Sequence, residues 1–123
     1  MQAIANEAIA ILEDDALLRC AIAITLEAQG FEVVVGSTGS DVAGQVAGRG
    51  LQPTLIITDY RLGTKTALDE IPEVMAALAG NVTVVVTTGD TSSETRTLIE
   101  KCGWHLLIKP YRPQDLLSII AAV

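Results

Sequence analysis

The feature that most constrains the fold of this chain is a set of five short apolar runs, each followed by a segment long enough for a helix. The runs are rich in β-branched and aliphatic residues, and they cover residues 8–12, 31–35, 55–58, 82–87 and 104–108. Because they are apolar at nearly every position, they are typical of strands that are buried on both faces of a parallel sheet.

The segments after the runs predict five helices, over residues 15–29, 38–48, 67–79, 92–102 and 113–122. Gly30 stands where the first helix should stop, and Pro113 suits the first position of the fifth. Thr91 and Glu94 have the spacing of a capping box before the fourth helix. Five alternations of strand and helix predict a single (βα)5 domain of the α/β class over residues 1–123.

Composition excludes several classes of protein. The chain has 8 basic and 15 acidic residues and a net charge of −7, whereas nucleic-acid and anionic-membrane binders need clustered Lys or Arg. No apolar run approaches the roughly 20 residues that cross a bilayer. Cys20 and Cys102 form no CxxC or Cys/His group, which argues against a disulfide scaffold and a zinc site. We therefore expect a cytoplasmic protein that binds neither membranes nor nucleic acid directly.

Polar residues follow four of the five apolar runs at the point where each predicted strand ends. In chain order they are Glu13, Asp14, Asp15, Asp59, Thr88 and Lys109. Ligands of open parallel sheets bind outside the carboxyl ends of the strands, so these residues should share one site.

The chemistry of this set suits phosphoryl transfer to a carboxylate. Closely spaced acids repel one another, and Mg²⁺ is the hard, oxygen-seeking ion that holds them together. Asp59 at a strand end can act as a nucleophile toward phosphorus, while Lys109 and Thr88 can stabilise the transferring group. Taken singly, each residue has an ordinary explanation, such as helix capping, a turn or a solvated lysine. Their joint placement at one sheet edge favours the site.

At these residues the chain resembles the response regulator receiver domains of two-component signalling, over nearly its whole length. The segments that carry the resemblance are IAILEDD at 9–15, LIITDYRL at 55–62, VVVTTG at 84–89 and LLIKP at 106–110. The residues that follow Asp59 and Thr88 are similar to those of receivers in hybrid histidine kinases. The resemblance implies a flavodoxin-like fold with parallel strand order 2-1-3-4-5.

The resemblance also implies a Mg²⁺ site and a partner. The ion would be held by Glu13, Asp14, Asp59 and the backbone carbonyl of Arg61, with Asp14 the more direct ligand of the acidic pair. The partner would be a histidine kinase or a histidine phosphotransfer protein, and Asp59 would accept its phosphoryl group.

Further roles follow from the same resemblance. Thr88 would be the hydroxyl that follows the phosphoryl group, and Lys109 the cation that pairs with Asp59. The bond between Lys109 and Pro110 is expected to be cis. Asp15 has a weaker claim to the site, because capping of the first helix explains it.

The chain departs from the family pattern at several positions. Leu106 stands three residues before the lysine, where the family usually has Phe or Tyr, so an aromatic switch cannot operate there. Gly63 and Ala67 replace a common Pro and a later Gly, and the loop should differ in shape. Arg61 and Asp90 occupy positions that bias the loss of the phosphoryl group in the family.

Two helices present more apolar surface than a core contact needs. The first has one stripe that includes Ile22 and Leu26 and a second, adjacent stripe that includes Leu17 and Ile24. The second stripe either docks the phosphotransfer partner through Leu17 and Ile24 or is a mildly exposed, alanine-rich face. The fifth helix could form a homodimer face, or it could be core with a frayed end.

We interpret the chain as a signalling switch that catalyses its own phosphorylation and not as a metabolic enzyme. We expect no effector domain within these 123 residues, and output through protein contacts unless the chain is a fragment of something longer. A pseudo-receiver that only binds partners is one alternative. A Mg²⁺-dependent phosphohydrolase with an aspartyl intermediate is another, but such enzymes usually carry an acid where this chain has Arg61.

Overall fold

A computed structural model of the protein describes residues 7–123. The strands are β1 (Ala8–Leu12), β2 (Glu32–Gly36), β3 (Leu55–Asp59), β4 (Arg61–Leu62), β5 (Lys65–Thr66), β6 (Thr83–Thr88) and β7 (His105–Ile108). The helices are α1 (Ala16–Ala28), α2 (Gly39–Arg49), α3 (Ala67–Ala76), α4 (Ser93–Lys101) and α5 (Pro113–Ala122). The five longer strands form one parallel sheet in the order β2-β1-β3-β6-β7. This confirms the predicted order 2-1-3-4-5 and the (βα)5 architecture.

Helices cover both faces of the sheet, which explains why its strands are apolar throughout. In β1, Ile9 and Ile11 pack in a cluster with Ile22 of α1 and Leu116 of α5. The intervening β1 residues pack on the opposite face with residues of α2, α3 and α4. Successive side chains of a strand point to opposite faces, so both sets need a hydrophobic partner layer.

The ends of α1 and α5 confirm the predicted signals. Asp15 caps α1, and its Oδ1 accepts hydrogen bonds from the amides of Leu17 (3.0 Å) and Leu18 (3.2 Å). Gly30, with φ 96°, follows α1 in the left-handed region that glycine adopts at little cost. Pro113 is the first residue of α5, where its missing N–H costs nothing.

The predicted capping box at the start of the fourth helix is wrong. The N-cap of α4 is Ser92, one residue after Thr91, and its side chain accepts a hydrogen bond from the Thr95 amide. The carboxylate of Asp90 accepts a hydrogen bond from the Ser92 amide at 2.8 Å, which helps to hold this N-cap residue in place.

The segment after Asp59, for which the sequence predicts a loop, contains an antiparallel hairpin. Strands β4 and β5 pair Arg61 with Thr66 and Leu62 with Lys65, and Gly63 turns between them with φ 67°. This hairpin lies directly beside the strand end that carries the candidate nucleophile.

The two apolar helix faces differ in exposure. In α5, Leu117, Ile119 and Ile120 are partly buried and pack against the core. In α1, Leu17 is 84% exposed and Ile24 61% exposed. Among residues 7–123, every helix is too short or too polar to cross a membrane.

Candidate functional site

Four strands bring their polar end residues to one edge of the sheet. Glu13 follows β1, Asp59 ends β3, Thr88 ends β6, and Lys109 follows β7. The register pairs Asp59 with Thr87 and Thr88 with Ile108, so the three strand ends are level. This edge is where ligands of parallel α/β folds bind.

Three carboxylates meet at this edge. Glu13, Asp14 and Asp59 each offer an oxygen, and these oxygens all lie within 4.8 Å of one another. Glu13 is buried, Asp59 is half-buried and Asp14 is exposed. The Oδ2 of Asp14 also accepts a hydrogen bond from the Gly63 amide (3.0 Å), which fixes the carboxylate beside the hairpin. The structure therefore brings together the three acids that the sequence pattern grouped.

Lys109 provides the positive charge within the group. Its Nζ lies 3.0 Å from Asp59 Oδ2 and 3.6 Å from Glu13 Oε1. Burial disfavours the charged ammonium, but the hydrogen bond and charge of Asp59, with those of Glu13, outweigh it and raise the pKa of Lys109. The Lys109–Pro110 peptide bond is cis, as the resemblance implied.

Glu13 is the acid under the greatest electrostatic conflict. Burial and then the negative charge of Asp59 raise its pKa from 4.5 to about 7, against the opposing effects of the Asp15 amide and Lys109. The Asp15 amide donates to Glu13 Oε2 at 3.1 Å. Proton or cation binding relieves such conflict, because either one offsets the second negative charge.

The donor set fits Mg²⁺. It consists of carboxylate oxygens within one small cluster, one of them exposed to solvent, and Mg²⁺ prefers a few carboxylates together with water and phosphate oxygens. Arg61 begins the hairpin strand β4, two residues after Asp59, with its side chain exposed. Its backbone carbonyl as a further ligand stays a prediction.

Thr88 is buried at the end of β6. Its Oγ1 accepts a hydrogen bond from the Asp90 amide at 3.0 Å. Its backbone carbonyl accepts from the Lys109 amide at 2.8 Å, which ties the two strand ends together. The two residues that carry the hydroxyl and the ammonium are therefore hydrogen-bonded to each other through their backbones.

Sequence reasoning missed two residues that contact or face the acids. Arg19 of α1 donates from Nη1 to the backbone carbonyl of Glu13 at 2.7 Å. Tyr111 has a buried hydroxyl that makes no hydrogen bond within the described residues. Burial, and then the charges of Glu13 and Asp59, raise the pKa of Tyr111 to about 12. The sequence feature that could have identified Tyr111 is its position two residues after Lys109.

A cavity of about 500 Å³ lies beside Lys109 and Tyr111. It is lined by Leu18, Gly89, Lys109, Pro110 and Tyr111. It therefore adjoins the lysine on the side of α1.

A family model described as the response regulator receiver domain matches residues 9–121. The chain belongs to this family. The receiver is 27% identical over 117 residues to the CAI-1 autoinducer sensor kinase/phosphatase CqsS of Vibrio cholerae, covering 93% of this chain and 17% of that protein. It is 28% identical over 118 residues to the DNA-binding response regulator MtrA of Mycobacterium leprae, covering 95% and 51%. The chain spans only part of the length of these curated relatives.

Solved structures support the flavodoxin-like fold. The receiver superposes on the Vibrio cholerae chemotaxis protein CheY4 with a TM-score of 0.82 and 21% identity, covering 95% of this chain and 98% of that one. It matches a CheY-like receiver from Methanospirillum hungatei with a TM-score of 0.79 and 22% identity, covering 94% and 91%. The receiver of the hybrid histidine kinase CckA gives 0.74 at 20% identity, covering 94% and 96%.

Proposed function

We propose that this receiver accepts a phosphoryl group on Asp59 from a phosphohistidine, in a Mg²⁺-dependent reaction, and acts as a signalling switch. The observation that carries the proposal is the 3.0 Å contact between Lys109 Nζ and Asp59 Oδ2 beside two further acids. A half-buried carboxylate with a fixed cation at a sheet edge is suited to nucleophilic attack on phosphorus.

In the reaction, an Asp59 carboxylate oxygen forms the new bond to phosphorus. The phosphorus–nitrogen bond of the donor breaks, and the imidazole nitrogen keeps the electron pair. Lys109 pairs with the charge on the acyl phosphate, and the Thr88 hydroxyl donates to a phosphoryl oxygen. Glu13, Asp14, Asp59 and the Arg61 carbonyl would hold Mg²⁺, whose chemistry when bound is to neutralise phosphoryl charge.

The test is intact-mass spectrometry and peptide mapping after treatment with phosphoramidate and Mg²⁺. The wild type should gain one phosphoryl group on the peptide that contains Asp59, and Asp59→Asn should gain none. Glu100→Gln, an exposed acid on α4, is the control and should be labelled like the wild type. Labelling on another peptide would contradict the proposal. An unlabelled, folded wild type would favour a pseudo-receiver.

We further propose that α1 docks the phosphotransfer partner through Leu17 and Ile24. Both side chains are largely exposed, although neighbouring Ile22 and Leu26 are buried, so the docking stripe is free of the core. Large apolar side chains grouped on a surface are typical of a protein interface.

The docking hypothesis predicts different results for phosphoryl transfer from the protein partner and for phosphorylation of Asp59 by a small-molecule donor. Ile24→Glu should slow phosphoryl transfer from the protein partner while acetyl phosphate still labels Asp59 at the wild-type rate. Leu98→Glu, an exposed leucine on α4, is the matched control and should leave transfer unchanged. Equal losses in the two assays for Ile24→Glu would contradict docking at this stripe.

A further inference from the structure

A chain of hydrogen bonds joins Thr88 to the first turn of α4. It begins at the Asp90 amide, which donates to Thr88 Oγ1 at 3.0 Å. Since a hydroxyl oxygen can accept while its proton is donated elsewhere, this bond holds the Thr88 oxygen in place and leaves its proton available.

The carboxylate of Asp90 continues the chain into the helix. Its Oδ2 accepts from the Thr95 hydroxyl at 2.7 Å, and its Oδ1 accepts from the Ser92 amide at 2.8 Å. The hydrogen bonds from Ser92 and Thr95 hold the pKa of Asp90 below its usual value, so it stays ionised. Charged acceptors make the stronger protein hydrogen bonds, and these two fix Asp90 to α4.

Thr95 is the buried end of this chain. Its side chain is enclosed although it lies in the first turn of a short surface helix, and its hydroxyl also accepts from Ser92 Oγ at 3.2 Å. Burying a hydroxyl costs free energy unless the hydroxyl is hydrogen-bonded. The Asp90 carboxylate provides that bond, which explains why a threonine is tolerated at this buried position.

Leu106, in the neighbouring strand β7, has an aliphatic side chain and cannot make a comparable hydrogen-bonded connection to α4. Leu106 is half-buried and packs against the core cluster that contains Ile99 of α4. An aliphatic side chain transmits only a change of packing, whereas a hydrogen-bonded carboxylate moves with its partners.

We propose that Asp90 and Thr95 are positioning residues, which hold the Thr88 hydroxyl and couple its movement to the first turn of α4. The inference rests on the proposed function, because the movement starts when Thr88 turns toward a phosphoryl group on Asp59. That turn withdraws Oγ1 from the Asp90 amide. Loss of this bond frees the Asp90 backbone, and the Asp90 carboxylate then moves together with the Ser92 amide and the Thr95 hydroxyl that it holds.

The experiment is to follow backbone amide resonances on addition of beryllofluoride and Mg²⁺, a phosphoryl mimic. In the wild type, resonances of Asp59 and Gly89 and those of α4 residues 93–96 should shift together. In Thr95→Val, which replaces the hydroxyl with a methyl group, the shifts in α4 should fall by at least half while those of Asp59 and Gly89 persist. Thr97→Val, at an exposed position of the same helix, is the matched control and should respond like the wild type.

Two further variants keep the proposal testable if the valine disturbs folding. Thr95→Ser retains the hydroxyl and should restore the α4 response, whereas Asp90→Ala removes the carboxylate in the middle of the chain and should abolish it. A full α4 response in folded Thr95→Val or Asp90→Ala would overturn the coupling, as would failure of Thr95→Ser to restore it. A wild type whose Asp59 resonance does not respond would instead overturn the proposed function.

Discussion

Glu13 and Asp90 are acids at the same edge of the sheet, yet their surroundings act in opposite directions. Burial and the charge of Asp59 raise the pKa of Glu13 to about 7. The hydrogen bonds from Ser92 and Thr95 lower the pKa of Asp90, and the charge of Arg61 adds to the effect. The position at a strand end therefore does not decide what a carboxylate does. Glu13, buried beside another negative charge, favours binding of a proton or a cation. Asp90 accepts hydrogen bonds that keep it ionised and that hold the backbone of Ser92.

The largest expected effect is on Mg²⁺ affinity. Asp14→Asn removes a negative charge from the cluster but keeps an oxygen that can accept from the Gly63 amide. We expect Mg²⁺ affinity to fall roughly 100-fold, about 2.7 kcal/mol, measured by calorimetric titration. Asp90→Asn is the matched comparison and should change the affinity less than about threefold. Equal losses in both variants would show that the cluster is not the ion site.

The second effect is a dependence of stability on pH without Mg²⁺. Because the pKa of Glu13 rises from 4.5 to about 7 on folding, the folded state binds more protons than the unfolded state between these values. The free energy of unfolding should therefore fall as pH rises from 5 to 7.5, by on the order of 2 kcal/mol. Urea denaturation at several pH values measures this.

Glu13→Gln is the control for the pH effect, since glutamine does not titrate. It should flatten the dependence, and saturating Mg²⁺ should flatten it in the wild type. The lowered pKa values of Asp90 and Asp115 keep both acids ionised above pH 5, so they add no slope in this range. An unchanged slope in Glu13→Gln would assign the titration to another group.

The third effect concerns the hydroxyl of Tyr111. Its oxygen is buried and makes no hydrogen bond among residues 7–123. Tyr111→Phe removes this desolvated group and keeps the ring, so it should stabilise the fold by about 1 kcal/mol. Denaturant unfolding measures the change. A loss of stability would mean that the hydroxyl has a solvent partner beside the acids.

The fourth effect, similar in size to the third, concerns the hydrogen-bonded surroundings of Asp90. Ser92→Ala removes the N-cap of α4 and should cost about 1 kcal/mol, with no dependence on pH between 5 and 7.5. Ser93→Ala, whose exposed hydroxyl contacts only Glu94 at 3.3 Å in the described structure, is the control and should change stability less. A pH-dependent loss in Ser92→Ala would link the cap to the acid cluster.

The sheet and the acid cluster could be predicted from sequence because each has a simple physical rule. Strands buried on both faces are apolar at every position, as in β1, and their order follows from the family resemblance. The meeting of Glu13, Asp14 and Asp59 follows from strand direction, because parallel strands end at one edge. Lys109 joins them for the same reason.

Other features depend on contacts that spacing does not encode. Thr91 and Ser92 are both good N-cap residues, and the structure uses Ser92, whose amide donates to the Asp90 carboxylate. The hairpin after Asp59 has strands of two residues, too short for a periodic pattern. The burial of Tyr111 depends on contacts with residues distant in sequence, in the cluster that also contains Leu18 and Leu116, and composition does not show these contacts.

The hairpin has a consequence for encounter with partners. Strand pairing, the bond from the Gly63 amide to Asp14, and the bond from the Ala67 amide to the Tyr60 carbonyl (2.8 Å) order this segment within the folded protein. Its conformational entropy is therefore lost during folding and not at association. A docking protein meets a preformed rim beside Asp59, and its association rate should depend on diffusion and orientation more than on loop ordering.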